Sequence, residues 1–179
     1  MVAYIDAEYY NNTYKGVDAG DDLDRYIERA SDLVDQVTGY KIIDLSALHP
    51  RYEVAQKDRV MTELVPRVLS LALLAKSAGM GFNIDAEEAD RLSLSLDVIE
   101  AVLSDPGLRG WDGFGVVVQA YGKRTGLVLD WLHALAEKLD RRIMVRLVKG
   151  AYWDTEIKRA QTLGLSSYPV FTRKTNTDI

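Results

Sequence analysis

The sequence lacks cysteine altogether, which excludes disulfides, thiolate metal sites and a cysteine nucleophile. It also lacks long apolar runs, and no stretch approaches the roughly 18 residues of a membrane-spanning helix. The first ten residues carry two acids and no basic region, which argues against a secretory signal. No basic stripe is present, and the net charge of −5 disfavours a nucleic-acid surface. A cytoplasmic protein of about one domain is therefore expected.

Signatures of nucleotide and metal sites are missing as well. No G-x-G-x-x-G or Walker pattern follows any predicted strand. The two histidines, His49 and His133, have no ligand-like spacing and are interpreted as structural. Glu87, Glu88 and Asp90 are interpreted as acids at a helix start, where they suit the helix dipole, and no metal site is predicted.

Charge divides the chain into two segments. Residues 1–44 hold ten acids and four bases, a net of −6, and six of the ten tyrosines. Residues 45–179 hold 17 acids and 18 bases, a net of +1. The pattern predicts that 1–44 is a helical segment of different origin. Its main helix would be capped by Asp21 or Asp22 and would end near Gln36.

Predicted strands and helices alternate through the second segment. Strands are predicted over 42–45, 80–85, 114–120, 143–149 and 168–172, and helices over 53–77, 88–104, 125–139 and 154–163. Pro66 predicts a kink or a break in the first of these helices. The third and fourth strands are mostly apolar, as parallel strands covered on both faces should be. Such alternation predicts a parallel sheet with right-handed crossovers.

Polar residues stand near the carboxyl ends of three predicted strands: Asp85, Gln119 and Arg146. Burying an unpaired guanidinium is costly, so Arg146 in an apolar strand should have an anionic or strongly polar partner. Because side chains alternate along a strand, all three can point to one side. In a (β/α) barrel this end carries the active site. The alternative is an Asp85–Arg146 ion pair that closes the barrel end without a ligand.

Four segments then bring a family resemblance: "LSALHPRYEVAQKDRVMTELVPR", "NIDAEEADRLSLSLDVIEAVL", "GWDGFGVVVQAYGKR" and "VRLVKGAYWDTEIKRAQTLGLSSYPVFTRKTNTD". From Leu45 to Asp178 the chain closely resembles the proline dehydrogenase domain of the bifunctional proline utilization A flavoenzymes. The resemblance implies an eight-stranded (β/α) barrel that binds FAD. It implies oxidation of L-proline to Δ1-pyrroline-5-carboxylate by hydride transfer to the flavin, which membrane quinone reoxidises. The fold class implied for this chain is α/β, a partial (β/α)8 TIM-type barrel of four to five βα units.

The same resemblance implies roles for individual residues. Arg146 would lie against the N5 edge of the flavin, where a fixed positive charge stabilises the reduced form. Val117 and Gln119 match flavin contacts. Asp85 matches an acid under the substrate, and Tyr152 an aromatic wall near the proline ring. The remaining implied cofactor-binding residues are Lys149, Gly150, Ala151, Trp153, Thr172, Arg173 and Thr177.

Three departures from the family pattern affect the expected activity. One is that residues 1–44 do not match the region upstream of the family's barrel. Asp44 stands where the pattern has lysine, and this charge reversal should weaken carboxylate binding and unbalance Asp85. Five strands at most cannot close an eight-stranded barrel. We therefore expect incomplete activity, or self-association that covers the open barrel. The implied location is cytoplasmic or peripheral to the inner membrane.

Residues 1–44 resemble a second family, the N-terminal helices of phage head–tail connector proteins. The two resemblances meet at Ile43 and Asp44, where the charge also changes. A natural fusion, an engineered fusion or a mis-joined reading frame would each produce this junction. The alternative functions are accordingly a connector-like assembly protein or an inactive fusion fragment.

Overall fold

The described part of the chain is built from parallel strands, each followed by a helix. A computed structural model describes residues 40–178. Within that range the strands are β1 (Tyr40–Ile43), β2 (Gly81–Ile84), β3 (Phe114–Gln119) and β4 (Met144–Val148), in the order β1-β2-β3-β4. The helices are α1 (Leu45–Leu48), α2 (Lys57–Ser77), α3 (Leu92–Leu103), α4 (Thr125–Lys138) and α5 (Trp153–Thr162). The helix predicted in 1–44 lies outside the described residues.

All strand pairs in the described sheet are parallel. Connections between neighbouring parallel strands through helices produce the α/β architecture of a partial (β/α)8 barrel. Residues 40–178 also contain three short 3₁₀ helices, at Val54–Gln56, Pro106–Leu108 and Lys174–Asn176. Between residues 40 and 178, no helix is both long and apolar enough to cross a membrane.

The hydrophobic core lies between one face of the sheet and the helices that follow the strands. Alternate residues of β2 and β3 point into it, among them Phe82, Ile84, Phe114 and Val116. The rings of Phe82 and Phe114 are 5.8 Å apart between centroids in a tilted arrangement. Burying an aromatic or branched side chain of this kind stabilises a fold by about 1.5–3 kcal/mol. The residues between them in β2 and β3 point to the opposite face of the sheet.

The helix predicted over 53–77 is confirmed, but it begins four residues later than predicted. Residues 54–56 form a 3₁₀ helix, and the α-helix begins at Lys57. It runs unbroken through Pro66 to Ser77. Of the predicted kink or break, the break is therefore wrong, and the kink stays a prediction. A buried stripe of Val60, Leu64, Val68, Ala72 and Ala75 holds the helix against the core on both sides of the proline.

The predicted helix over 88–104 begins only at Leu92. The residues before it make tertiary contacts instead of helical ones. The Ala89 N–H donates to the buried carboxylate of Glu156 at 2.6 Å. Glu87 accepts the Ser46 N–H at 2.9 Å and pairs with Arg91 at 2.6 Å. Glu87, Glu88 and Asp90 therefore lie in a loop before α3 and not in its first turn. Hydrogen bonds from this loop to α1 and α5 fix its position.

The strand predicted over 168–172 is wrong. In the structure this segment makes one isolated antiparallel bridge, between Val170 and Gly122. Phe171 N–H donates to the Tyr121 carbonyl at 2.8 Å. Pro169 has no N–H to contribute to a strand ladder, and the segment packs on the loop after β3. Val170 is nevertheless fully buried, which accounts for the apolar character of the segment.

The expectation that both apolar strands are covered on both faces holds for β3 and is wrong for β4. Five of the six β3 residues are buried, whereas the middle of β4 is exposed. Leu147 is 57% exposed and the Arg146 side chain 45% exposed. β4 is the outer strand of the described sheet, so a hydrogen-bonded neighbour covers one of its edges only. Arg146 is thus not a buried guanidinium.

Candidate functional site

The polar strand-end residues lie on the sheet face opposite the helix core. The register pairs Ile43 with Ile84, whose side chains belong to that core or pack against it. The residues that directly follow β1 and β2, Asp44 and Asp85, therefore point to the other face. Asp85 N–H donates to the Ile43 carbonyl at 2.9 Å and so extends the pairing by one residue. The two carboxylates consequently meet at one strand end.

Arg146 reaches the same place from the other edge of the sheet. It pairs in register with Val117, and Gln119 pairs with Val148. Its Nη2 lies 3.9 Å from Asp85 Oδ1, which also accepts the Ala86 N–H at 2.8 Å. The predicted convergence of Asp85, Gln119 and Arg146 on one side is thus present. The contact between Arg146 and Asp85 is long for an ion pair and half-exposed, which leaves the guanidinium accessible.

Asp85 lies in a cavity of about 150 Å³, here termed the acidic pocket. Its lining is Asp44, Asp85, Ala86, Gln119, Val148, Ala151 and Tyr152. Burial raises the pKa of Asp44, and the nearby carboxylates of Asp85 and Glu87 raise that pKa further. Burial likewise raises the pKa of Tyr152 to about 12, with Asp44 the next contributor. The pocket therefore holds crowded negative charge, and Tyr152 is a neutral phenol at physiological pH.

A second cavity of about 260 Å³ adjoins the loop between β4 and α5 and is termed the loop cavity. Its lining is Tyr121, Lys149, Gly150, Trp153, Phe171, Thr172, Lys174 and Thr177. Two lysines give it a cationic character, although Lys149 Nζ pairs with Asp178 Oδ1 at 2.5 Å. The Trp153 indole N–H donates to the Phe171 carbonyl at 2.8 Å and joins the two walls.

Gly150 is required by the shape of this loop. Its φ of +119° is a conformation that residues with a Cβ rarely adopt. A Cβ at this position would also overlap the Tyr121 ring. The backbone of the loop therefore lies directly against an aromatic face, and only glycine permits that approach.

Gln119 connects the two cavities. Its Oε1 accepts hydrogen bonds from the Tyr121 hydroxyl at 2.6 Å and from the Ala151 N–H at 3.1 Å. Its Nε2 donates to the Glu87 carbonyl at 2.9 Å. The amide thus fixes the loop after β2 relative to the loop after β4.

The structure places most of the predicted site residues in these two cavities. Asp85, Gln119, Ala151 and Tyr152 line the acidic pocket, and Lys149, Gly150, Trp153, Thr172 and Thr177 line the loop cavity. Three residues lie outside both linings. Arg146 is at the rim beside Asp85, Val117 is buried within β3, and Arg173 is exposed just before the last 3₁₀ helix.

Sequence reasoning missed Tyr121 as a site residue, although it is buried between the two loops and lines the loop cavity. The only signal for it in "VVVQAYGKR" is its place two residues after Gln119, just beyond the predicted strand. Asp44, which departs from the family pattern, lines the acidic pocket.

The histidines lie outside this site. His49 is buried, accepts the Arg51 N–H at Nδ1 at 3.2 Å, and lies 3.2 Å from Glu63 through Nε2. His133 is exposed on α4, where its ring lies 3.7 Å from Glu137. Both arrangements agree with the structural interpretation of these residues.

The proline dehydrogenase family model matches residues 6–179 of the chain. The bifunctional protein PutA of Salmonella typhimurium is 62% identical over 137 residues, which are 76% of this chain and 10% of that protein. PutA of Rhizobium meliloti is 65% identical over 137 residues, 76% of this chain and 11% of its own length. The chain therefore spans about a tenth of the curated relatives it matches.

Solved structures agree with the sequence matches. Proline utilization A with proline bound in remote sites has a TM-score of 0.76 and 64% identity, over 76% of this chain and 14% of its own. PutA from Bdellovibrio bacteriovorus inactivated by N-propargylglycine has a TM-score of 0.73 and 31% identity, over 76% of this chain and 14% of its own.

The family match begins within the acidic N-terminal segment. That residues 1–44 have a different origin stays a prediction. The connector-like alternative function is not supported by these comparisons. Because the family model covers residues 6–179 and PutA proteins are more than 60% identical over three quarters of the sequence, the chain belongs to the proline dehydrogenase family.

Proposed function

We propose that this chain carries the cofactor and substrate face of an FAD-dependent enzyme that oxidises L-proline to Δ1-pyrroline-5-carboxylate. The observation that supports this most is the meeting of Asp85, Gln119 and Arg146 at the carboxyl ends of parallel strands, beside two adjoining cavities. That end of a β/α barrel is where active sites lie. Membership of the proline dehydrogenase family supports this choice of reaction.

The loop cavity fits an anionic dinucleotide cofactor. Lys149 and Lys174 supply positive charge, Thr172 and Thr177 supply hydroxyls, and Gly150 allows close approach of the backbone. Trp153 supplies an aromatic wall. When bound, FAD would supply the acceptor for the hydride of proline. We assign Lys149, Gly150, Ala151, Trp153, Thr172, Arg173 and Thr177 to holding it.

The remaining residues act toward the reacting atoms. Arg146 places a positive charge at the rim, where it would stabilise an electron-rich cofactor ring. Val117 and Gln119 lie along the same face and would contact that ring. Asp85 would hold the amine side of the substrate through its negative charge. Tyr152 is a neutral phenol in the acidic pocket and would form a wall for the proline ring.

A membrane quinone is the electron acceptor we propose, and it would place the protein in the cytoplasm or at the inner membrane surface. We also propose self-association through β4, because Val145 and Leu147 expose apolar surface there. Sedimentation velocity tests the association: a purely monomeric protein at micromolar concentration would contradict it. Reoxidation of the reduced flavin by a soluble quinone tests the acceptor.

The decisive test is the flavin content of the purified chain, followed by addition of L-proline. Bound flavin whose visible absorbance bleaches with L-proline, and not with D-proline, is the expected result. Bound flavin that does not bleach would leave cofactor binding without turnover. A chain that takes up no flavin even when FAD is supplied would contradict the proposed function.

A further inference from the structure

The loop after β3 joins both walls of the loop cavity, and Tyr121 is its central residue. The Tyr121 N–H donates to the carbonyl of Lys149, the first residue after β4, at 3.2 Å. The Tyr121 carbonyl accepts the Phe171 N–H at 2.8 Å, on the opposite wall. One residue is thus hydrogen-bonded through its backbone to both segments that enclose the cavity.

The side chain of Tyr121 continues this connection. Its hydroxyl accepts the Tyr152 N–H at 3.1 Å and donates its single proton to Gln119 Oε1 at 2.6 Å. The ring lies against Gly150 and occupies the space of a missing Cβ. Burial raises the pKa of Tyr121, so the hydroxyl keeps the proton that it donates. Both hydrogen bonds of the Tyr121 hydroxyl are thus made to the loop of residues 150–152 and to Gln119.

A purely structural tyrosine would need only its ring in this place. The hydroxyl is different, because its two partners are a backbone N–H beside the acidic pocket and the amide that links the two cavities. Without the hydroxyl, the Tyr152 N–H would lose its acceptor and Gln119 Oε1 would keep only the Ala151 N–H. Both groups could then shift while the ring stayed in contact with Gly150.

We infer that Tyr121 is a positioning residue, whose hydroxyl holds the Gly150–Tyr152 backbone and the Gln119 amide in the arrangement that receives the cofactor. The inference that a cofactor is received rests on the proposed function. The inference that the hydroxyl holds the loop rests on the hydrogen bonds alone. Tyr121 need not touch the reacting atoms for this role.

The test is Tyr121→Phe in the full chain, which keeps the ring and removes the hydroxyl. Amide hydrogen exchange at Ala151 and Tyr152 is measured first, without flavin. Loss of one hydrogen bond should speed exchange at Tyr152 by about five- to tenfold. FAD affinity, measured by titration, should fall by a similar factor. Tyr52→Phe is the matched control, because it removes a buried hydroxyl that lies outside both cavity linings.

The outcomes separate this inference from the proposed function. Unchanged exchange at Tyr152 in Tyr121→Phe overturns it, whatever happens to the flavin. Faster exchange with unchanged FAD affinity overturns its connection to the cofactor. If the unaltered chain binds no FAD, the proposed function fails, and exchange alone decides whether the hydroxyl holds the loop. Equal effects of Tyr52→Phe at Tyr152 would show a global loss of stability and would also overturn the inference.

Discussion

The acidic pocket and the loop cavity are neighbours that are built in different ways. The loop cavity is shaped by backbone hydrogen bonds, a glycine at φ +119° and a buried tyrosine. The acidic pocket is defined by side-chain charge, with Asp44 and Asp85 at the ends of adjacent strands. The shape of the loop cavity depends on contacts among many residues. The charge of the acidic pocket depends on single ionisable groups, so one substitution can change it.

This difference implies that cofactor binding and substrate binding are separable in this chain. Gln119 links the two cavities through hydrogen bonds to Glu87, Tyr121 and Ala151, and none of these bonds involves Asp44. A change in pocket charge should leave the loop cavity intact, whereas a change in loop shape should affect both.

The largest effect is expected for Gly150→Ala. A Cβ there must adopt an unfavourable φ and displace the Tyr121 ring, which together should destabilise the fold by about 2–5 kcal/mol. FAD affinity should be lost in parallel. Urea unfolding and FAD titration measure the two effects.

Gly164→Ala is the matched control for that substitution. Gly164 has φ +63°, but a Cβ there would meet no atom within 4 Å. Only the backbone cost of about 1–2 kcal/mol should remain, with FAD affinity unchanged. Equal effects of the two substitutions would show that contact with Tyr121 contributes nothing.

Asp44→Lys should produce the next largest effect, confined to the acidic pocket. A lysine would replace like-charge crowding beside Asp85 by attraction and would offer a positive group to a substrate carboxylate. The L-proline concentration for half-maximal flavin bleaching should fall by about ten- to hundredfold. Asp44→Asn, which only removes charge, should give an intermediate value. Identical bleaching by all three proteins would rule out a role for this position.

Removal of the Asp44 charge should also change how stability depends on pH. The folded state raises the pKa of Asp44, so the folded protein binds its proton more tightly than the unfolded chain does. Stability from this group is full below the unfolded pKa of about 3.9 and is lost as pH rises through the raised folded value. Asp44→Asn should therefore melt about 1–3 °C higher than the unaltered chain at pH 7.

The difference in melting temperature between Asp44→Asn and the unaltered chain should disappear as the pH is lowered toward 4. Asp58→Asn is a suitable control, because Asp58 lies in the first turn of α2, outside both cavity linings. A difference for Asp44→Asn that stays constant across this pH range would contradict a raised pKa as its cause.

The sequence predicted the sheet and one side of the site because both follow from alternation. Period-two alternation placed Asp85, Gln119 and Arg146 on one face, and helical periodicity located α2, α4 and α5 within a few residues. These are local properties of the chain. They required no knowledge of which elements would pack together.

The failures come from contacts between distant segments. The Glu156 carboxylate accepts a hydrogen bond from the Ala89 N–H, 67 residues away in the sequence. With this contact, α3 begins at Leu92 and not at the predicted residue 88. Val170 is buried against the loop after β3, so an apolar segment appeared to be a strand. Exposure of β4 depends on which neighbour the sheet has, and its residues alone do not encode it. The Tyr121 hydroxyl bridge likewise arises only in three dimensions.

The smallest effect is expected for Asp178→Asn at the edge of the loop cavity. Lys149 donates to Asp178 and lowers its pKa, so at neutral pH the carboxylate holds the lysine that would otherwise face an anionic ligand. Both groups are exposed, which limits the strength of the pair. Asp178→Asn should raise FAD affinity by about two- to threefold, and the gain should disappear in 1 M salt. Asp154→Asn, at the first turn of α5 and outside the cavity lining, should leave the affinity unchanged. Weaker FAD binding in Asp178→Asn would mean that the Lys149–Asp178 pair shapes the cavity and does not compete with the ligand. In that case shape would dominate the loop cavity even at its charged edge, as it does at Gly150.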